Sequence, residues 1–374
     1  MRLATSSWQG AISFVTSNMK NRFLLSLLLA SISTPFIAEE EKPTVYSFTN
    51  KVVFTKEGDG DITNFAAFMP VPQTNDYQTV WKVEASEGVV LEDENYGNKL
   101  LYVNHDRFAS SSLELSTTTH ITPIKITWNM RDIRNFKEYD PESKECRLYL
   151  GNREGYIDTS NIDMSGLAGS IWKASRDVVD YAYRCYEYVA SHYQYLDGDW
   201  RPLVRILSDG GGGSADFSTL MVNLLRCKGI PARHNVCVTF GEQLHTFVDF
   251  YLEGIGWIPL DAARKSLDPD GNYFGVYDGS CIVLIQDIGY KVSVDTPSPI
   301  NILQDYVFYC TPSDDGTSLM AMGFLQNNGL SGIHAVTTDS VPASTDSIYN
   351  LQGQKVPPTY KGLVIRNGQK YIQK

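Results

Sequence analysis

The stretch Gly210-Gly-Gly-Gly-Ser-Ala-Asp-Phe-Ser-Thr-Leu-Met-Val-Asn-Leu-Leu-Arg-Cys-Lys-Gly229 predicts a glycine-rich loop that leads directly into a buried helix. Glycine adopts a positive φ at no steric cost, so the backbone of the loop Gly210–Gly213 can take such angles. Apolar residues then recur with the i, i+3, i+4, i+7, i+8 spacing of one helix face. They are Phe217, Leu220, Met221, Leu224 and Leu225. Gly229 and Pro231 are expected to end the helix.

Ser214 is the first residue of this predicted helix. The start of a helix carries unpaired N–H groups and a partial positive charge, so an anion forms there at reduced cost. This position therefore favours a nucleophile.

Two segments with a period of two residues follow the helix and predict a β-hairpin whose turn is Glu253–Gly256. His245 lies on the first strand, and Asp261 lies at the end of the second. If Gly254 is the centre of the turn, these two side chains lie on the same face near the open end. A register slip of one residue would separate them, because alternate residues of a strand point to opposite faces.

Together these motifs resemble the transglutaminase-like superfamily, which shares the papain-type Cys-His-Asp arrangement. The matching positions are Gly213, Asp216, Ser218, Leu220, Arg226, Gly229–Arg233, His245, Gly256, Trp257 and Asp261. The resemblance implies a catalytic site of Ser214, His245 and Asp261, supported by Asp216 and Trp257. At one position the chain departs from the family, which has its nucleophilic Cys where this chain has Ser214.

Trp200 lies fourteen positions before Ser214. Papain-like sites use an upstream Gln or Trp to bind the developing oxyanion, so the resemblance implies this role for the indole N–H of Trp200. The alternative is an aromatic side chain that packs beneath the glycine loop.

A serine at the nucleophile position leaves three alternatives open. The first is a domain that binds peptides or glycan-peptides and has weak or no activity. The second is a working Ser-dependent amidase or acyltransferase, because a hydroxyl can act when His245 removes its proton. The third is a Cys-dependent enzyme whose natural Cys has been replaced. A purely structural adhesin explains the His245 and Asp261 pattern less well.

The 374-residue chain is too long for one ordinary domain. We expect an α+β protein with an N-terminal β-sandwich, a papain-like, transglutaminase-like α/β core and a small β tail. The predicted segments are an extension and signal peptide (1–38), the β-sandwich (43–135), the transglutaminase-like domain (145–330), a linker (335–346) and the sorting-like tail (347–374). We also expect the segments Cys281–Ile285 and Asp305–Cys310 to be strands that complete the sheet of the transglutaminase-like domain.

Charge and composition indicate the class of partner. A net charge of −11 argues against a nucleic-acid partner, because the sequence has no basic stripe to neutralise phosphates. The apolar run that begins at Phe23 follows Lys20 and Arg22, which is typical of a signal peptide and too short to span a bilayer. The sequence therefore predicts an exported protein, periplasmic, secreted or on the cell surface, that acts on a peptide or protein substrate. No cofactor or metal motif is present, and the oligomeric state is open.

Overall fold

The protein is described by a computed structural model that places residues 43–93, 95–133, 136–292, 300–302, 305–331, 348–349, 355–357, 359–360, 362–366 and 369–373. The predicted signal peptide (1–38) and linker (335–346) lie outside these described residues. The helices are α1 (Lys144–Tyr149), α2 (Ile162–Lys173), α3 (Val178–His192), α4 (Leu203–Asp209), α5 (Ser214–Arg226) and α6 (Ala262–Leu267).

The described chain contains more strand than helix, and nearly all of its strand pairs are antiparallel. The strands are β1 (Tyr46–Glu57), β2 (Ile62–Val71), β3 (Gln78–Ala85), β4 (Val89–Glu92), β5 (Lys99–Arg107), β6 (Ser112–Pro123), β7 (Ile126–Thr127), β8 (Gln194–Tyr195), β9 (Gly211–Gly212), β10 (Ala232–Thr239), β11 (Leu244–Leu252), β12 (Gly256–Leu260), β13 (Val276–Tyr277), β14 (Cys281–Gln286), β15 (Tyr290–Val292), β16 (Ile300–Ile302), β17 (Val307–Pro312), β18 (Ser318–Leu330), β19 (Ile348–Tyr349), β20 (Lys355–Val356), β21 (Gly362–Arg366) and β22 (Gln369–Gln373).

Two four-stranded antiparallel sheets, ordered β18-β1-β6-β3 and β17-β2-β5-β4, combine early and late strands of the chain. Phe54 of β1 and Phe65 of β2 belong to one buried cluster that both sheets contribute to. The interpretation of Asp305–Cys310 as a strand that completes the transglutaminase-like sheet is wrong, because β17 pairs with β2. Apolar alternation predicts a strand, but its partner depends on contacts between residues distant in sequence.

A third four-stranded sheet, ordered β12-β11-β10-β14, carries the motif residues. Helix α5 packs against this sheet, and its apolar face shares one core with α3. Every residue of α5 except Ser214 is buried. The helix begins at Ser214 and ends at Arg226, as the sequence predicts. Ser214 is therefore the point at which a buried helix reaches the surface.

The C-terminal residues form a separate four-stranded sheet with the order β20-β19-β21-β22. Strands β19 and β20 pair antiparallel, and so do β21 and β22. Both pairs lie within residues 347–374.

Candidate active site

The glycine loop is explained by close packing more than by unusual backbone angles. Among Gly210–Gly213, only Gly210 has a positive φ, at 68°. Gly211 and Gly212 instead form β9, which pairs parallel with β8. A Cβ on Gly211 would lie 2.2 Å from the carbonyl oxygen of Gln194, and one on Gly212 would lie 2.0 Å from Oδ2 of Asp216. Only Gly210 uses the positive φ that glycine permits, whereas Gly211 and Gly212 are required because a side chain would not fit.

Asp216 fixes the start of α5. Its Oδ2 accepts a hydrogen bond from the Gly213 N–H at 3.0 Å, and its Oδ1 accepts one from the Arg201 N–H at 2.8 Å. The side chain is only 1% exposed, and burial raises its pKa although both N–H groups and the charge of Arg201 oppose this. Asp216 thus holds the loop against the first turn of the helix, which places Ser214.

Thr246, the neighbour of His245 on β11, joins the strand to α5. Its N–H donates to Ser214 Oγ at 3.2 Å. Its carbonyl oxygen accepts from Ser218 Oγ at 2.9 Å. Two serines one helical turn apart therefore hold the strand that carries His245, and Ser214 Oγ receives a backbone donor.

His245 and Asp261 form the ion pair that the hairpin register predicts. The chain turns between Leu252 and Gly256, which pair, so Gly254 is the centre of the turn. His245 Nε2–H donates to Asp261 Oδ2 at 2.6 Å, and the His245 side chain is 16% exposed.

Asp261 also controls the protonation of His245. Burial lowers the pKa of His245, but the charge of Asp261 and its hydrogen bond outweigh this effect, and the net shift is upward. Asp261 Oδ1 accepts from the Arg264 N–H at 2.9 Å and so caps α6. One carboxylate therefore orients the imidazole and is itself held by a helix start.

Ser214 Oγ contacts the backbone of Thr246, the residue that follows His245, and the structure records no hydrogen bond between the side chains of Ser214 and His245. Because Asp261 engages Nε2, the other ring nitrogen, Nδ1, is the one available as a base. In unliganded sites, catalytic hydrogen bonds are often long and shorten only when substrate binds. The arrangement contains a nucleophile position at a helix start, a base and a group that orients the base.

Trp200 does not direct its N–H into the cavity over Ser214. The indole Nε1–H donates to Thr219 Oγ1 at 2.9 Å, and Thr219 lies 3.4 Å from His234 Nε2. The ring also contacts Tyr156, with centroids 5.3 Å apart. Trp200 does form part of the cavity wall. The N–H groups at the start of a helix are donors of the kind that an oxyanion requires, and α5 begins at Ser214.

Trp257 lies away from both cavities of the site. Its ring packs beneath the guanidinium of Arg233, whose Cζ is 4.2 Å from the ring centroid. Arg233 Nε donates to Asp249 Oδ2 at 2.9 Å, and Tyr77 Oη–H donates to Asp249 Oδ1. Trp257 is therefore part of a buried structural cluster, and its support of the site is indirect.

Two adjacent cavities lie at Ser214, His245 and Asp261. One, of about 330 Å³, is lined by Gly213, Ser214 and Ala215 among others. The other, of about 450 Å³, is lined by His245 and Asp261 among others. Both walls include Tyr195, Gln243 and Leu244. Sequence analysis missed these three residues, and no motif marks them.

The sequence profile described as the transglutaminase-like superfamily matches residues 165–262, which include α5 and the whole Ser214, His245 and Asp261 arrangement. Residues 165–262 therefore form a transglutaminase-like domain. The chain has no match among curated protein sequences.

Several solved structures resemble this chain at low sequence identity. A candidate cysteine protease from Cytophaga hutchinsonii is 14% identical with a TM-score of 0.48, covering 76% of this chain and 99% of that one. The periplasmic domain of TgpA from Pseudomonas aeruginosa is 12% identical with a TM-score of 0.31, covering 62% and 93%. LapG from Legionella pneumophila is 15% identical with a TM-score of 0.27, covering 39% and 91%.

Two features are missing from the part of the chain that the structure describes. None of its helices combines the length and apolar character that a membrane span requires. No three or more His, Cys, Asp or Glu side chains within the described ranges are grouped as metal ligands.

Proposed function

We propose that this chain is an exported protein that binds peptide or protein amide groups at Ser214, His245 and Asp261, and that its acyl-transfer activity is weak or lost because serine replaces the family's cysteine. The 2.6 Å ion pair between His245 and Asp261, beside a helix that begins at Ser214, carries this proposal. The pair lines a cavity of about 450 Å³, in which a substrate can reach it.

The weak activity follows from the acidity of the nucleophile. A cysteine has a pKa of about 8.5, and a helix start together with a nearby imidazolium lowers it further. A serine hydroxyl remains protonated, so His245 must remove its proton during the attack. The helix start and the raised pKa of His245 favour a pre-formed thiolate–imidazolium pair, and a neutral hydroxyl benefits little from either.

The test compares wild type, Ser214→Ala and Ser214→Cys in two assays. One measures hydrolysis of peptide amides, and the other measures incorporation of an amine into a glutaminyl peptide. We expect wild type and Ser214→Ala to match at background level and Ser214→Cys to gain activity. Adding His245→Ala to Ser214→Cys should remove about 10²- to 10⁴-fold of that gain.

A matched control uses His192, an exposed histidine at the end of α3. Adding His192→Ala to Ser214→Cys should leave the activity unchanged. Wild-type activity well above Ser214→Ala, together with labelling by a fluorophosphonate probe, would instead identify Ser214 as a working nucleophile. Activity of Ser214→Cys that survives His245→Ala would overturn the assignment of the site.

The proposal of export rests on the sequence of the segment 1–38. N-terminal sequencing of material recovered outside the cytoplasm should begin after the apolar run. Secreted material that still begins before Phe23 would contradict export by a cleaved signal peptide.

A further inference from the structure

The cavity beside His245 has a mainly apolar wall. It measures about 450 Å³, within the range of about 300–1,000 Å³ that is usual for ligand pockets. Its wall includes Leu244, Phe247, Tyr277 and Cys281 in addition to the ion pair. A cavity of this size and character accommodates a large apolar side chain.

The charged groups in this wall already have partners. His245 and Asp261 bind each other. The guanidinium of Arg264 donates to Asp278 Oδ2 at 2.9 Å and lies 4.4 Å from the ring centroid of Tyr273. No charge is therefore left to recognise an oppositely charged ligand, and burying an unpaired charge there would be costly. The occupant that fits is uncharged.

The chemistry of amide cleavage decides which end of a substrate lies here. The nucleophile at position 214 attacks the carbonyl carbon and forms the acyl–enzyme bond, while the carbon–nitrogen bond breaks. The proton of the nucleophile passes through His245 to the departing nitrogen. The acyl portion thus lies over the start of α5, and the amine portion lies on the side of His245. Water, or a second amine, then releases the acyl group.

We propose that the cavity beside His245 is the subsite for the amine-side residue of the scissile amide, and that it selects an aromatic or large aliphatic side chain. This inference rests on the proposed function. Leu244 and Tyr195 lie in the walls of both cavities and mark the boundary between the two subsites. The smaller cavity over Ser214 then receives the acyl-side residue.

The first experiment measures kcat/KM of Ser214→Cys with peptides that differ only in the amine-side residue, which is Phe, Leu, Gly, Lys or Glu. We expect Phe and Leu to exceed Gly by about tenfold or more, with Lys and Glu no better than Gly. Adding Val276→Trp fills the cavity that Val276 lines. It should reduce kcat/KM for the Phe peptide to the value for the Gly peptide. Val204→Trp, at an exposed residue of α4, is the matched control and should leave the ratio unchanged.

The second experiment measures binding of the same peptides to Ser214→Ala by calorimetry, which requires no turnover. We expect the Phe peptide to bind about tenfold more tightly than the Gly peptide, and we expect Val276→Trp to remove this preference. This result supports the subsite even if Ser214→Cys proves inactive. An inactive Ser214→Cys with this binding preference would refute the proposed catalytic chemistry but not the subsite. Equal binding of the Phe, Gly and Lys peptides, or a preference for Lys or Glu, would overturn the subsite. Because each result is a ratio between substrates, partial loss of folded protein does not change it.

Discussion

Replacing Asp287 by Asn should strongly destabilise the protein, because it removes the carboxylate that binds two buried guanidinium groups. Asp287 Oδ1 accepts from Arg226 Nη2 at 3.0 Å, and its Oδ2 accepts from Arg153 Nη2 at 2.6 Å. The side chains of Asp287 and Arg226 are 0% exposed, and that of Arg153 is 10% exposed. Removing the carboxylate charge leaves two guanidinium groups in the interior without a counter-charge.

The expected loss follows from the cost of an uncompensated buried charge, about 3–5 kcal/mol. Arg226 keeps some partners in the variant, because its Nε and Nη2 donate to the Ala232 carbonyl oxygen at 3.0 and 2.6 Å. We therefore expect a loss near the lower end, about 3 kcal/mol. Asp278→Asn is the matched control, since it breaks an Asp–Arg pair whose side chains are 41% and 35% exposed. Exposed pairs contribute about 0.2–1 kcal/mol.

Urea unfolding at pH 7 measures both variants, and the midpoints are comparable if the m-values agree. The reasoning is refuted if Asp287→Asn costs less than about 1 kcal/mol, or no more than Asp278→Asn. Burial alone would raise the pKa of Asp287, but the charge of Arg226, the neighbouring imidazole of His234 and the charge of Arg153 hold it well below its usual value. The ionised form therefore stabilises the fold above the ordinary carboxyl pKa of about 3.9, and this contribution is lost as the pH falls towards the folded-state value. The difference between wild type and Asp287→Asn should narrow below about pH 4.

Two further predictions concern the site. Asp261→Asn should lower the pKa of His245, because burial then acts without the carboxylate charge; an NMR titration of the ring protons measures this, and an unchanged pKa would contradict the pairing. The His245–Asp261 pair should make its full contribution to the free energy of unfolding below the ordinary histidine pKa of about 6.5. This contribution should be lost as the pH rises through the higher pKa of His245 in the folded protein. Gly212→Ala should destabilise the protein, because its Cβ would lie 2.0 Å from Oδ2 of Asp216. Gly213→Ala should be tolerated, because its Cβ would have no neighbour closer than 3.6 Å. Equal melting temperatures for the two variants would refute the packing explanation of the loop.

The local features of the site were predictable because each depends on residues near one another in sequence. The start of α5 at Ser214 follows from the glycine loop and the apolar spacing. The contact between His245 and Asp261 follows from a hairpin whose turn is centred on Gly254. A turn fixes the register of the strands that it joins, so the position of this turn places two side chains that lie nine residues before it and seven residues after it.

Features that depend on distant partners were not predictable in the same way. Asp287 lies in a segment with no recognised motif, yet it binds both Arg226 and Arg153. The sequence predicts β17 as a strand of the transglutaminase-like sheet. The strand pairs instead with β2, which is more than two hundred residues away. The indole N–H of Trp200 donates to Thr219 Oγ1, and no sequence pattern marks Thr219 as its acceptor. Alternation and spacing specify which face of an element is buried, and they do not specify its partner.

The surroundings of position 214 favour an anion more than a hydroxyl. Thr246 presents its backbone N–H to the atom at this position, at 3.2 Å, and the start of α5 adds the partial positive charge of its unpaired N–H groups. An anionic acceptor gains about twice as much as a neutral one from such hydrogen bonds. Asp216 holds these donors in place whichever side chain follows Gly213, because both of its contacts are to backbone N–H groups. The frame therefore stabilises a charge that serine does not supply at neutral pH, and for this reason substitution of the single residue Ser214 by Cys is the change expected to restore the chemistry.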